Sequence, residues 1–433
     1  MTGFARGIAG RAVDVIALGL GAAVLAPTFR HLAAARPDLL ARVRHELFAA
    51  RGGEFVSEVG AVEKAAFVAK MLGSDGGFAR SSAGPQPPAR RQPAGVAELL
   101  FAGDLLAAEG LGARSLSDAL RARIAEASCF VVNIEGTVST ESHAIAPFLT
   151  RRGLAQLARY ARDPDDGGWS SRHDVDELRA VFAGLPRVVA SVANNHTLDD
   201  GLDGFDRTLA LLRGLGHEIV GDARTDEGVV AIGVGAHRVG MFALTYGSNR
   251  RAGADGCHLQ FDDVPHRIAR DRAARLVDRL RDRGATHVVA LLHWGHEHEH
   301  EPTRAQESCA RLLGDAGVSA IIGHHPHLLQ RTDHARPPWV SYSLGDFVGG
   351  DRTIWSRFGS MVALRFGPDG AVSGELIPTV QAPFWEAQRT MLLCEAPPLE
   401  RAVFARFFAS KLARGSCTSP TPRARRDQRE AAS

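Results

Sequence analysis

A histidine-rich tract follows an apolar run in the stretch LLHWGHEHEHEP, residues 291–302. It places four histidines close to three glutamates, and these side chains bind transition metals and move protons near neutral pH. Such tracts also form solvated surface, so a metal site, a proton relay and a wet strand edge all remain open. A second stretch, GHHPH at residues 323–327, also ends an apolar run. Its proline restricts the preceding residue to extended geometry, which can aim the two flanking imidazoles at one centre.

Further polar side chains stand where predicted apolar strands end. They come from distant segments of the chain and comprise Asp104, Asn133, Glu135, Asn195, His196, His293, His324, His325 and His327. Ligands of open α/β sheets bind beyond the carboxyl ends of the strands, so side chains from separate strands converge there. Carboxylate, amide and imidazole donors together suit Mn, Fe, Zn or Mg. Two such ions, about 3.5 to 4 Å apart, can activate water and stabilise a phosphoryl transition state.

The elements that must position these side chains are short apolar runs that alternate with amphipathic helices. The runs with strand composition are AELLFAGD, CFVVNIEG, RVVASVANN, VVAIGVG, RVGMFALT, THVVALLHWG, VSAIIGHHPH, WVSYSLGDF and SMVALRF. Helical segments such as GFDRTLALLRGLG and RAQESCARLLGDAG lie between them, and each ends on a glycine that can cap a helix. The alternation predicts a layered α/β domain over residues 96–385, followed by a strand and a helix over 386–416.

Both ends of the chain differ in character from this domain. Apolar residues at three- and four-residue spacing predict a helical segment within residues 1–80. Its apolar stretch at 12–30 is either a signal or anchor or a packed helix, so location in the cytoplasm, at a membrane or in the cell envelope stays open. Glycine, serine, proline and arginine without apolar periodicity predict a disordered linker at 81–95. Residues 417–433 predict a disordered basic tail.

Composition narrows the class of protein. Of the 433 residues, 45% are hydrophobic and 23% are charged, with a formal net charge of +2. These values fit a soluble protein and indicate no general attraction to nucleic acid. The five cysteines are scattered without a CxxC pair, which argues against a disulfide framework or a zinc-thiolate site. Cys129 opens a predicted strand and is expected to be a small buried hydrophobe.

A series of short motifs resembles the CapA family, which is named for poly-γ-glutamate capsule synthesis and is similar to the calcineurin-like metallophosphoesterases. Between residues 98 and about 378 the matching motifs are FAGD (101–104), NIEGTV (133–138), ANNHTLDDG (193–201), TYGSN (245–249), HWGHE (293–297), IGHHPH (322–327) and YSLGDF (342–347). Their order and number make the resemblance specific. It implies a four-layer α/β/β/α sandwich of metallophosphoesterase type, preceded by the helical N-terminal segment.

The resemblance also implies a role for each matching polar residue. The implied ligands of two divalent cations are Asp104, Glu135, Asn195, His293, His325 and His327. Glu135 is our candidate for the bridging carboxylate, and His196 is implied as the proton donor or phosphate contact. Four further side chains are expected to orient ligands or substrate, namely Asn133, Glu297, His324 and Asp346. The tract beyond His293, with its three later histidines, predicts a solvated or substrate-facing rim or an accessory cation site.

Two positions depart from the family pattern. Leu106 stands where phosphoesterases of this type carry a histidine, so one cation loses a ligand. Asp346 stands where the family usually has asparagine, and its charge either strengthens cation binding or repels an anionic substrate.

Residues 141–186 are longer than the family core and predict a lid or surface loop.

Two functions follow from these features. The first is a metal-dependent phosphoesterase-type hydrolase acting in poly-γ-glutamate or capsule polymer biosynthesis, with His196 as the acid. The second is a capsule-assembly component that binds or escorts an anionic polymer without turnover. Both hypotheses give the chain an anionic substrate and leave membrane association open.

Overall fold

The computed structural model describes residues 97–141, 171–249, 265–349 and 355–411, apart from positions 109, 223, 225–227, 246, 335, 384–385 and 409–410. The predicted N-terminal helical segment, its apolar stretch, the linker and the basic tail lie outside the described residues. Within the described part of the chain, no helix has the length and apolar character needed to cross a bilayer.

The described residues form sixteen strands and six α-helices. The strands are β1 (Leu99–Leu106), β2 (Cys129–Glu135), β3 (Thr137–Ser139), β4 (Arg172–Asp174), β5 (Val188–Ser191), β6 (Glu218–Val220), β7 (Val229–Val234), β8 (His237–Thr245), β9 (His287–His293), β10 (Ala320–His324), β11 (Thr332–Asp333), β12 (Trp339–Ser341), β13 (Asp346–Val348), β14 (Phe358–Phe366), β15 (Val372–Gln381) and β16 (Thr390–Leu392). The helices are α1 (Asp118–Ala125), α2 (Val175–Phe182), α3 (Gly201–Gly214), α4 (Pro265–Asp282), α5 (Arg304–Asp315) and α6 (Pro398–Phe407).

Two main sheets form the centre of the domain. The first has the spatial order β16-β15-β14-β1-β2-β5-β6, and β13 pairs with the end of β1. The second has the order β11-β12-β10-β9-β8-β7. Strands β1, β2, β5 and β6 are parallel to one another, as are β8, β9, β10 and β12. The parallel strands therefore end together, which is the arrangement that gathers side chains from distant segments.

Three apolar layers hold the two main sheets and helices α1 to α5 together, and a smaller buried cluster packs α6 against β14 and β15. Alternate residues of β1 show this, because Leu99 and Phe101 join the layer between the sheets while Leu100 joins the layer beneath α1, α2 and α3. The second sheet packs its other face against α4 and α5. Strands buried on both faces read as continuous apolar runs, as the sequence of β9 does. The structure thus confirms the predicted four-layer α/β/β/α sandwich.

Two parts of the fold differ from the sequence-based expectation. Strand β15 was not predicted, because none of its first seven residues is fully buried and these residues include a glycine and a proline. The loop predicted for residues 141–186 is wrong for 172–182, which form β4 and α2. Val175, Leu178 and Val181 of α2 are buried against the first sheet, and residues 142–170 lie outside the described part.

Cys129 opens β2 and is 1% exposed, which confirms the expectation of a small buried hydrophobe. Burial raises the pKa of its thiol to about 12. At neutral pH the side chain is therefore a protonated thiol, which is neither a metal ligand nor a nucleophile.

A close approach of backbones fixes β1 beside the segment that precedes β13. A Cβ atom at Gly103 would overlap the carbonyl oxygen of Gly345, which itself accepts a hydrogen bond from the Asp104 N–H at 3.1 Å. Gly103→Ala should therefore destabilise the domain by about 2 to 4 kcal/mol in urea unfolding. Gly233→Ala in β7 is the matched control, since its Cβ would meet no atom within 4 Å. Equal stability of the two variants would contradict this interpretation.

His217 makes the stability of the domain dependent on pH. Its ring packs at a near right angle to that of Phe182, with 4.8 Å between centroids, and burial lowers its pKa from 6.5 to about 4. The unfolded chain therefore binds a proton before the folded chain does, so stability present above pH 6.5 is lost as the pH falls toward 4. Between about pH 7 and about pH 5, urea unfolding of the wild type should lose about 1 to 2 kcal/mol more than His217→Gln. Parallel losses in the two proteins would refute the assignment.

Candidate metal centre

Asp104 is the first fixed point of the candidate site. The side chain is fully buried in β1, where the pairing with β2 shifts register. One carboxylate oxygen accepts a hydrogen bond from Asn133 Nδ2 at 2.8 Å, and the other accepts from the backbone N–H of His325 at 2.9 Å. These two bonds tie the ends of β1, β2 and β10 together and fix the direction of the carboxylate.

Glu135 ends β2 and is buried without exposure, and neither of its carboxylate oxygens has a hydrogen-bond partner. Its Oε1 lies 3.6 Å from Nε2 of His327, 3.8 Å from Nε2 of His293 and 4.0 Å from Nε2 of His196. Burial raises the pKa of Glu135 well above its ordinary value, although the charge of His327 opposes the shift. A buried carboxylate without a donor is costly, and a bound cation would remove the cost.

The GHHPH stretch places its last two histidines in unusual backbone conformations. His325 has φ +92° and His327 has φ +55°, whereas we expected extended geometry at the residue before Pro326. Positive φ in non-glycine residues is strained and clusters at functional sites. The predicted convergence nevertheless occurs, with the two ring centroids 6.0 Å apart.

Asp104, His327 and Asp346 form what we call the first donor set. Nδ1 of His327 lies 2.8 Å from Oδ1 of Asp346 and 3.8 Å from Oδ2 of Asp104. One donor atom from each of the three residues lies within 4.8 Å of the others. Burial lowers the pKa of His327, but the charges of Glu135 and Asp346 outweigh it and raise the pKa well above its ordinary value.

Asn195, His293 and His325 form the second donor set. Nε2 of His293 lies 2.8 Å from Oδ1 of Asn195 and 3.0 Å from Nδ1 of His325. Burial, followed by the neighbouring histidines, lowers the pKa of both His293 and His325 well below the ordinary value. Both rings are therefore neutral at pH 7 and keep a lone pair for a metal ion.

Glu135 lies between the two donor sets. It groups within 4.8 Å with His325 and His327, and also with Asp104 and His293. Carboxylate, amide and imidazole atoms at this spacing, together with two carboxylate oxygens that lack a donor, fit divalent cations. The six ligands implied by the sequence thus lie in one buried cluster.

His196 stands beside this cluster and is held by its own partners. Its Nδ1 lies 2.7 Å from Oδ2 of Asp199, and the same oxygen accepts from the backbone N–H of Ser171 at 2.7 Å. Nδ2 of Asn249 lies 3.3 Å from Nε2 of the histidine. The carboxylate fixes the ring so that Nε2 faces Glu135, and that nitrogen can hold or receive a proton.

The side chains expected to orient ligands occupy different positions. Asn133 contacts Asp104 directly, as described above. Nε2 of His324 lies 3.1 Å from the carbonyl oxygen of Ala102, so this histidine joins β10 to β1 and contacts backbone. Glu297 is half-buried, and its charge contributes to the raised pKa of Glu135.

The histidine-rich tract folds back over the GHHPH stretch after His293. The backbone N–H of His298 donates to the carbonyl oxygen of Pro326 at 2.9 Å, and its ring lies 6.1 Å from that of His327. His300 is 6% exposed, packs 5.9 Å from the Trp355 ring and accepts a hydrogen bond from Lys411 Nζ through its carbonyl oxygen. The expected solvated rim is therefore wrong for His298 and His300, which are both buried, and the His300 ring packs against Trp355 and Phe408.

The residues that contact the backbone carbonyl of Glu135 were not predicted from the sequence. The carbonyl oxygen of Glu135 lies 2.8 Å from Ser171 Oγ and 3.1 Å from His173 Nε2, so both can donate to it. Asp199 could have been found, since it follows His196 by three residues in the quoted motif ANNHTLDDG. Ser171 and His173 carried no signal, because they belong to a segment that was interpreted as a loop.

The structure is an α/β/β/α sandwich that gathers carboxylate, amide and imidazole donors at its strand ends, and these features define a layered α/β protein with a candidate metal centre. Within that class, residues 98–351 match the family described as bacterial capsule synthesis protein PGA_cap. The chain belongs to this family, which confirms the resemblance to CapA proteins.

The similar proteins share only part of their length with this chain. Capsule biosynthesis protein CapA of Bacillus anthracis is 28% identical over 196 residues, which covers 44% of this chain and 47% of the relative. PGA biosynthesis protein CapA of Bacillus subtilis (strain 168) is 34% identical over 91 residues, covering 21% and 24%. The chain thus spans less than half the length of these curated relatives. A solved putative 5'-nucleotidase from Staphylococcus aureus, in complex with alpha-ketoglutarate, has a TM-score of 0.38 and 14% identity, with coverage of 65% of this chain and 54% of that chain.

Proposed function

We propose that the buried cluster is a two-cation hydrolase site that cleaves a phosphoester or a related bond in an anionic substrate. The single observation that carries the proposal is Glu135, whose two buried carboxylate oxygens lack donors and lie between two donor sets. A carboxylate in this position can contact a cation on each side. The two cations are of the Mn, Fe, Zn or Mg type.

In this proposal, one group of side chains would bind the cations and a separate histidine would transfer a proton. Bound cations supply Lewis acidity toward the anionic group of a substrate. The first and second donor sets hold them, with Glu135 shared. His196 would give or take a proton at Nε2 beside the cluster, and Asp199 fixes its ring by accepting at Nδ1. Family membership supports an anionic capsule polymer of the poly-γ-glutamate kind as the substrate class.

The second candidate function is a site that binds cations but does not catalyse hydrolysis. Leu106 supports it, because this buried apolar side chain supplies no donor at the end of β1, two residues after Asp104. On this alternative, the site would bind or escort an anionic polymer in capsule assembly without cleaving it.

Hydrolysis assays separate the two functions. The chain loaded with Mn²⁺ is assayed against an aryl phosphate ester and against a γ-glutamyl oligomer, with the unloaded chain as the control. Slow cleavage of either substrate that depends on the cation supports the hydrolase. Retention of the oligomer without cleavage of either substrate supports the binding function instead.

A further inference from the structure

Asp346 occupies a position that the strand pairing makes equivalent to that of Asp104. Strand β13 runs parallel to β1, and their register pairs Asp104 with Asp346. Both side chains are buried, at 0% and 1% exposure. Two carboxylates therefore leave neighbouring strands at the same level and reach the same side of the cluster.

The distances place Asp346 within reach of a cation shared with its neighbours. Its Oδ1 is 2.8 Å from His327 Nδ1, a separation that two ligands of one ion can also have, and Asp104 belongs to the same group within 4.8 Å. Leu106, which pairs with Glu135 in β2, contributes no donor on this side. Without Asp346, the first donor set would keep two residues against three in the second set.

We propose that Asp346 is a direct ligand of the first cation and supplies the donor that Leu106 lacks. The inference rests on the proposed two-cation site and deepens it. Counting the shared Glu135, the first position then has three carboxylates and one imidazole. The second has one carboxylate, one amide and two imidazoles.

This difference in donors gives the two positions different metal preferences. Hard cations such as Mg²⁺ and Mn²⁺ prefer carboxylate oxygen, whereas imidazole suits Zn²⁺ and Fe²⁺. The first position should therefore hold Mn²⁺ or Mg²⁺, and the second position should retain Zn²⁺. Asp346 would set the identity of one ion as well as its affinity.

Binding measurements on variants test the role of the Asp346 charge. In Asp346→Ala, the affinity of the first position for Mn²⁺ should fall at least about 100-fold. The affinity of the second position for Zn²⁺ should change by less than about threefold. Asp346→Asn keeps an acceptor for His327 but loses the charge, and it should lose at least about tenfold in Mn²⁺ affinity. Asp222→Asn is the control, because Asp222 is a buried carboxylate that bonds Arg224 outside the cluster. Wild-type Mn²⁺ affinity in Asp346→Asn would overturn the inference.

Anomalous diffraction from Mn²⁺-loaded wild-type crystals gives a readout that a hydrogen-bonding role would not produce. A direct ligand places an Asp346 oxygen within about 2.0 to 2.4 Å of the ion. Two ions with Asp346 more than about 3 Å from both, touching only His327, would overturn this inference and leave the proposed function standing. A folded wild-type chain that binds no Mn²⁺ would instead remove the proposed function, and this inference with it.

Discussion

His196→Gln should slow hydrolysis by orders of magnitude while leaving the cations in place. Its Nε2 faces Glu135 from 4.0 Å, and Asp199 holds the other ring nitrogen, so the side chain is positioned to move a proton beside the cluster. Glutamine has similar size but cannot exchange a proton near neutral pH. We expect kcat to fall by about 10²- to 10⁴-fold, the range for loss of a general acid or base.

The metal content of the same variant decides how its loss of turnover is interpreted. Elemental analysis should give the wild-type number of ions, because His196 belongs to neither donor set. His237→Gln is the matched control, since His237 lies at the opposite end of β8 from the cluster, and both its turnover and its metal content should equal the wild type. A variant that keeps its ions and more than about a tenth of wild-type kcat would contradict the assigned role.

Glu135→Gln should have opposite effects on stability with and without metal. Burial disfavours the ionised carboxylate and raises its pKa, so without cations the folded state loses stability as pH rises from 4.5 toward that raised pKa. Glutamine removes the charge, and the metal-free variant should be more stable than the metal-free wild type by about 1 to 3 kcal/mol near neutral pH. The affinity for both cations should fall at least about 100-fold, because the shared ligand is lost.

Thermal unfolding with and without Mn²⁺ measures both effects. The wild type should gain stability on loading, since a ligand that binds only the folded chain stabilises it. Without Mn²⁺, Glu135→Gln should unfold at a higher temperature than the wild type, and Mn²⁺ should raise that temperature only slightly. Glu98→Gln provides the control, because Glu98 is buried just before β1 at the far end of the sheet, where it pairs with Arg123. Wild-type stabilisation by Mn²⁺ in Glu135→Gln would exclude a ligand role for this carboxylate.

Much of the fold follows from the apolar pattern of the sequence. Strands such as β2 and β9 are buried on both faces, so their composition is continuous and easy to recognise. Strand β15 packs only part of its length, and its mixed composition gave no comparable pattern. The short strands β3 and β4 pair across residues 142–170, and no local signal predicts such a distant pairing.

The candidate site could be predicted as a set of residues but not as a geometry. The position of Glu135 at the end of a strand follows from the sequence, yet its lack of donors appears only when the neighbouring side chains are placed. The positive φ of His325 runs against the local preference before proline, so tertiary contacts determine it. Asp346 was expected to orient ligands, and only the register of β13 against β1 places it level with Asp104.

Donor side chains from distant segments should meet at a pair of cations around Glu135. Elemental analysis of the wild-type chain, loaded with Mn²⁺ and freed of unbound ion, tests it most directly. We expect about two ions per folded chain, both lost in Glu135→Gln and both retained in Glu98→Gln. A folded wild-type chain without bound ions, or ions that remain bound in Glu135→Gln, would show that Glu135 does not hold a pair of cations.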